Sequence, residues 1–401
     1  MTAGADAPAA VTTRRVELDV LRIVLVLGLV LFHSALVFDT NDDFYVKNSE
    51  TAELTGVAAG PIIVWAMPVL FAIAGIAARY SLRRRTPGQF ARERLLRLGV
   101  PLLVITVLVT PVPQWIRARA TEPGLGYLEF LPRFFDARLD VAEAPFFLTG
   151  EWFEFGHLWF VVLLLAWSLL LALLVAALPA AVMTPARDAV RRAADRVPAL
   201  LLAPALAFAL VGALLPLEEG YAAWNRWAYL LFFLAGYALL GDDALRAAHR
   251  RVTPLAAVAA LIAFGIGIVV FLGAGGQDLF LDASAAGMTF RALYAVTGWC
   301  TVLAILGALD RLAVRRAARE GSGSGRGAAA LAYLGPIALP LYLLHQPIVV
   351  VFAVLVVPLA WPPLLEFALI IVATFVVLFA LVEVLRRIPA TRVLLGMAAR
   401  G

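Results

Sequence analysis

Among the few ionisable side chains that interrupt the apolar runs of this 401-residue chain, one arginine and one histidine stand out for their spacing. In the stretch RRVELDVLRIVLVLGLVLFHSALVF, Arg22 and His33 lie eleven positions apart. On an α-helix, at about 100° per residue, that is roughly three turns plus 20°, so both leave one face about 16 Å apart along the axis. Arginine grips phosphate through its fixed fork of donors, and a neutral imidazole can take a proton from a hydroxyl. The pair suits a long substrate with an anionic end and a reactive end. Asp19, three residues before Arg22, can pair with it on the same face. On the residues alone a plainer alternative stays open, in which Arg22 snorkels to the membrane surface and His33 packs.

Three of the four histidines, His33, His157 and His345, fall in or at the edges of apolar runs. An ionisable group there is expensive, so function is the default hypothesis. His345 follows Tyr342 by about one turn, and either lines a cavity or satisfies itself by internal hydrogen bonds. His157, beside Trp159 at the start of a run, suits an interfacial belt as well as substrate contact. His249 stands in a basic stretch and is expected in solvent. Glu383 precedes Arg386 and Arg387 by one turn and is expected to pair with them. The single cysteine, Cys300, excludes an internal disulfide and a multi-cysteine metal site and reads as a buried filler. No His, Cys or carboxylate cluster has metal-ligand spacing, so no metal is expected.

These side chains need a scaffold, and composition says which. Hydrophobic residues make up 63% of the chain and charged ones 15%, and mean hydropathy is +0.91; soluble domains carry about 25% charged residues. Lipid must be the solvent. A spanning helix needs about 20 apolar residues, and ten runs qualify, near 16–38, 57–79, 96–114, 157–179, 198–216, 224–241, 253–273, 288–309, 331–357 and 364–386. The third and fifth are short and contain prolines. The fold class expected is an all-α integral membrane protein of about ten transmembrane helices.

The formal charge is +5, and Lys47 is the only lysine. The arginines sit in short alternate connections, such as Arg79 to Arg97, Arg187 to Arg196, Arg246 to Arg251 and Arg311 to Arg326, whereas the other connections are acid-rich. Cytoplasmic loops carry the basic excess, so these arginines report topology and not a nucleic-acid partner. Ten spans put every basic connection, and both termini, on the cytoplasmic side. The expected layout is a tail over 1–15, a membrane domain over 16–388 and a tail over 389–401, in the cell (plasma) membrane. The run 16–38 is too long for a signal-peptide core of roughly 7–15 residues and reads as a retained span. An external aromatic-rich loop over 115–156 suits a lid or a segment lying on the membrane. The stretch 320–327, EGSGSGRG, reads as a flexible linker.

At this point the chain resembles the membrane-bound acyltransferase-3 family, whose first span carries an arginine, ten residues, then a histidine. The resemblance continues in MPVLFAIAGIAARYSL (67–82), FARERLLRLGVPLL (90–103), GHLWFVVLLL (156–165) and LPLYLLHQPIVV (339–350). The His-Leu-Trp-Phe form leans toward a branch containing glucan-modifying succinyltransferases. The family's usual serine before Gly75 is Ala74 here, and the serine preceding its late tyrosine is missing, which removes any serine-nucleophile role at those places. The resemblance implies acyl-CoA as the donor substrate and no permanently bound cofactor. It implies Arg22 and His33 as the catalytic pair, with Arg92, Arg94 and Arg97 near the CoA phosphates. The implied acceptor is a carbohydrate or glycolipid at the outer face; Asp19 beside Arg22, and His157, Trp159, Tyr342 and His345, are the further substrate-binding candidates. From another class, an exporter using the histidines as a proton relay remains the alternative; transporters usually show paired halves, and no internal symmetry is visible.

Overall fold

In a bilayer a backbone must close its own hydrogen bonds, and a helix does so within one segment. The computed structural model, which describes residues 15–40, 43–319 and 326–398, is built accordingly. In chain order the helices are α1 (Val16–Leu36), α2 (Leu54–Leu82), α3 (Pro87–Arg94), α4 (Val100–Leu108), α5 (Pro111–Thr121), α6 (Tyr127–Phe134) and α7 (Trp159–Ala177). There follow α8 (Ala180–Arg196), α9 (Pro204–Leu214), α10 (Arg226–Ala235), α11 (Arg246–Leu272), α12 (Ala285–Arg319), α13 (Arg326–Val356), α14 (Pro363–Leu385) and α15 (Pro389–Leu394). Strand pairing is confined, among the described residues, to a two-residue hairpin of β1 (Arg138–Leu139) and β2 (Leu148–Thr149) and one isolated bridge.

Eight helical segments are long and apolar enough to cross a membrane, and Pro198–Leu214 and Arg226–Leu240 form two shorter apolar ones. Each of the ten overlaps one of the runs expected from sequence, and the protein is an all-α, multi-pass membrane protein. The shorter pair packs one face of each helix into the bundle and leaves Leu206, Leu210 and Leu214 exposed on the other side. Phe208 stacks on Trp299, and Phe232, Phe233 and Tyr229 are fully buried. α10 meets α2 backbone to backbone: a Cβ on Gly75 would strike the Phe233 carbonyl, and one on Gly236 the Ala72 carbonyl. Small residues permit that approach, which explains why a glycine follows Ala74.

Two apolar clusters divide the bundle, one built mainly from α2, α7, α10 and α12, the other from α1, α13 and α14. The connections that the charge pattern puts on one side do meet at one end. Asp242, just before α11, takes Arg79 of α2 at 2.7 Å and Arg191 of α8 at 2.8 Å. Asp310 of α12 takes Arg250 at 2.7 Å, Arg246, and Arg15 at 3.8 Å. Glu383 pairs with Arg386 and Arg387 as expected, and Cys300 is buried and free.

Several sequence expectations need correction. His249 is not solvated: α11 begins at Arg246, and the turn carrying His249 packs on α12, where its Nε2 donates to the Leu303 carbonyl at 2.9 Å. The third span is longer than read, a helical stretch over Pro87–Thr121 that passes through a π-turn at Leu95–Gly99. The stretch over 115–156 therefore begins inside α5. Residues 389–398 do not trail off as a tail: α15 lies against α4, Leu395 and Met397 are buried, and Arg97 Nε donates to the Gly396 carbonyl at 3.4 Å. Residues 1–14, 320–325 and 399–401 of the expected tails and linker lie outside the described residues, and 326–327 already belong to α13.

Candidate active site

α1 runs unbroken from Val16 to Leu36, so the axial spacing of about 16 Å between Arg22 and His33 holds. Its upper half borders a cavity of about 1040 Å³ at the end opposite the arginine clusters. That is at the top of the range for small-molecule sites, roughly 300–1,000 Å³. Leu25, Leu29, Phe32, His33 and Leu36 of α1 line it, and Arg22 sits one turn below Leu25 on the same stripe without reaching the wall.

Three elements bring the histidines together. α1 carries His33, a 3-10 turn at Gly156–Leu158 carries His157, and α13 carries His345. The His345 ring lies 5.1 Å from that of His33 and 5.2 Å from that of His157, centre to centre. Tyr342 completes the group, its hydroxyl donating to the His157 backbone carbonyl. A carbonyl only accepts, so each ring nitrogen facing one must carry hydrogen. His157 Nε2 donates to the Leu343 carbonyl at 3.0 Å, and His345 Nδ1 to the Tyr342 carbonyl at 2.6 Å. In the neutral ring His345 Nε2 is then a bare acceptor, and it is buried without a hydrogen-bond partner, as is His33 Nδ1. Among the described residues no group of three or more His, Cys, Asp or Glu is placed to hold a metal ion.

His157 is buried and hydrogen-bonded, so the interfacial-belt alternative does not describe it. Trp159 is half-buried on the cavity wall, stacked on Tyr229 at 5.3 Å. The arginine candidates stand elsewhere. Asp19 pairs with Arg22 at 3.3 Å. Arg92 is exposed, Arg94 lies over the Phe90 ring at 4.9 Å, and Arg97 pairs with Glu93 at 3.4 Å. None of these five lines the cavity.

Sequence reasoning missed the rim. The segment 43–45 and the residues between Glu143 and Gly156 fold over the cavity mouth. The Tyr45 hydroxyl donates to Glu154, while the Arg117 guanidinium stacks on the Tyr45 ring at 4.7 Å and donates to the Asp43 carbonyl at 2.5 Å. Arg226 ties Glu143 and Glu218 together at 2.9 and 2.6 Å, beneath Phe146 and Tyr221. Burial pushes the Tyr221 phenol up to about 12, against the opposing pull of Arg226, so it stays a neutral hydroxyl on the wall. Gly156 turns the chain there with φ +50°, and a Cβ would come within 3.0 Å of the Tyr45 hydroxyl. The readable signal was acid and aromatic residues interleaved in one long connection. Gln346, buried on the wall with an unpartnered Oε1, was readable as a polar side chain in an apolar run.

Aromatic rings, carboxylates and neutral hydroxyls around a mouth suit a polyhydroxylated molecule, and unpaired imidazole nitrogens beneath suit proton transfer. The acyltransferase domain family (Acyl_transf_3) matches residues 15–383. Neither a curated protein nor a solved structure matches the chain.

Proposed function

As the chain belongs to the acyltransferase-3 family and is an acyltransferase, we propose that it is an O-acyltransferase carrying an acetyl or succinyl group from cytoplasmic acyl-CoA to a hydroxyl of a carbohydrate or glycolipid at the outer face of the plasma membrane. The observation that carries this reading is His33, on the wall of a large cavity, with His345 beside it and His157 next to His345.

Arg22, lower on the same stripe of α1, holds the CoA phosphates, helped by the arginines of 92–97, and the pantetheine arm spans the roughly 16 Å up to His33. His33 takes the proton of the acceptor hydroxyl while its oxygen attacks the thioester carbonyl. The new C–O bond forms, the C–S bond breaks, and the CoA thiolate leaves and recovers the proton from His33. His345, packed beside His33 but not itself on the cavity wall, orients the His33 ring. General base catalysis of this kind contributes roughly 10²–10⁴-fold.

The test uses the full chain in detergent with radiolabelled acetyl-CoA or succinyl-CoA. Protein-dependent loss of the thioester, abolished in His33→Ala while the variant keeps its size-exclusion profile, is the expected result. Undiminished thioester turnover in His33→Ala overturns the assignment.

A further inference from the structure

The cavity is not closed on all sides. Besides the stripe that carries His33, its lining includes a second stripe of α1, Val24, Gly28, Leu31 and Ala35, and facing residues of α2, Ile62, Ile63 and Ala66. A side chain on the wall of an enclosed cavity shows little surface. Val24 is 59% exposed, Leu31 46% and Ile62 50%, and a Cβ on Gly28 would meet nothing within 4 Å. The cavity therefore opens sideways, between α1 and α2, onto the outside of the bundle.

That outside is hydrocarbon. Both helices are apolar over this length, and a bilayer core about 30 Å thick surrounds them. The stripe from Val24 to Ala35 runs eleven residues, about 16 Å, and every α1 and α2 residue just named is apolar. Polarity is graded along it. The Ala35 end meets His33 and, beyond it, the rim of Asp43, Tyr45, Arg117 and Glu154, whereas the Val24 end has no polar lining. An amphiphile in the leaflet at the rim's end of the bundle has the same gradient, head at the rim and chain running inward.

From this we propose that the acceptor is lipid-linked: it enters from the bilayer between α1 and α2, seats its aliphatic chain along Val24, Gly28, Leu31 and Ile62, and presents a hydroxyl of its polar head to His33. The inference rests on the acyltransferase reading for the word acceptor, and on the side opening for the rest. A wholly water-soluble glycan would need the rim but no apolar opening, and a long donor acyl chain is the other occupant the test separates.

Two measurements decide it. In the first, a dodecyl maltoside bearing a diazirine near the end of its chain is photolysed with the full-length protein in nanodiscs, and labelled peptides are mapped. Label should concentrate on the segments 24–35 and 60–67 and fall at least fivefold in Gly28→Trp, with Gly28→Val intermediate. Both variants add bulk where nothing stands and are checked by size exclusion. Label spread evenly around the bundle and indifferent to Gly28→Trp overturns the groove. In the second, host membranes holding the protein receive labelled acetyl-CoA or succinyl-CoA and are partitioned between butanol and water. His33-dependent label should enter the butanol phase and drop about tenfold in Gly28→Trp. Label in water-soluble glycan, unchanged by Gly28→Trp, overturns the lipid-linked acceptor. Gly28→Trp that spares acetyl and succinyl transfer but blocks a dodecanoyl-CoA donor assigns the groove to the donor chain and also overturns it. Specific photolabelling with no thioester consumed in either phase defeats the acyltransfer reading and leaves the amphiphile groove standing, so the two failures are distinguishable.

Discussion

The two ends of this bundle treat their buried ionisable groups differently. At the arginine end the buried carboxylates among the described residues are saturated: Asp242 has two guanidinium partners and a backbone N–H, and Asp310 has three guanidinium partners. At the histidine end Nδ1 of His33, Nε2 of His345 and Oε1 of Gln346 are buried with no hydrogen-bond partner. Buried polar groups are normally paired, so each exception calls for an explanation. Satisfied charges tie α2, α8, α11 and α12 together. Under the proposed acyl transfer, the unsatisfied neutral groups are those a substrate would complete. The difference separates residues that hold the fold from residues that use it.

The largest expected effect lies at the saturated end. Asp242→Ala leaves the buried Arg79 guanidinium without its carboxylate partner, a defect worth about 3–5 kcal/mol, and Asp310→Ala strips the shared carboxylate from the part-buried Arg246 and Arg250 for a smaller loss. Thermal unfolding of the purified chain should fall steeply, with specific activity per folded molecule unchanged. Burial alone would raise the Asp242 carboxyl, but the hydrogen bond from Arg191 and the charge of Arg79 hold it below the usual carboxylate range. Its stabilising contribution is therefore complete above about pH 4 and lost as acid protonates it. The wild type should lose stability below that pH more steeply than Asp242→Ala. Equal acid sensitivity in the two would remove Asp242 from the clamp.

The next effect tests the unsatisfied end. In His345→Asn the amide nitrogen can still donate to the Tyr342 carbonyl, while the bare Nε2 is gone. Acyl transfer should drop by about 100-fold in kcat, with the unfolding temperature held within a few degrees and the KM for acyl-CoA unchanged. A large loss of stability instead would mean that this end is built like the other, and the contrast would collapse. Tyr342→Phe is milder. It strips the hydroxyl that donates to the His157 carbonyl and leaves one buried acceptor, a cost of about 1–3 kcal/mol. The expected readout is a modest drop in unfolding temperature and less than a tenfold loss of rate.

How much of this was legible in the sequence follows from the same contrast. Apolar length and arginine placement report on the solvent around each residue, so the ten segments and the pairing of Asp19 with Arg22 were readable one run at a time. The face shared by Arg22 and His33 was readable because helical geometry is local. What joins His33, His157 and His345 is the packing of α1, the turn before α7 and α13, and no local pattern encodes that. His249 shows the failure from the other direction: flanking arginines suggested water, but the turn faces α12. The rim was hidden because Glu154 and Tyr45 stand 109 positions apart and acquire meaning only where two connections fold together. The side opening between α1 and α2 was hidden for a different reason, since an apolar residue facing lipid and one facing a cavity read alike.

The smallest expected effect sharpens the comparison most, because it asks to which end Arg22 belongs. Its pair with Asp19, at 3.3 Å and with 39% and 22% of the two side chains exposed, is of the partly solvated kind worth about 0.2–1 kcal/mol. If Arg22 is only one more clamp, Asp19→Asn shifts stability by a few tenths of a kcal/mol and leaves kinetics alone. If Arg22 receives the donor, Asp19 and an incoming phosphate compete for one guanidinium. Asp19→Asn should then lower the KM for acyl-CoA two- to threefold. Acyl-pantetheine, which carries no phosphate, should show no change, since the same His33 chemistry would act on it without the lower contact. A KM that shifts equally for both donors, or for neither, would return Arg22 to the structural end and leave His33 to work without it.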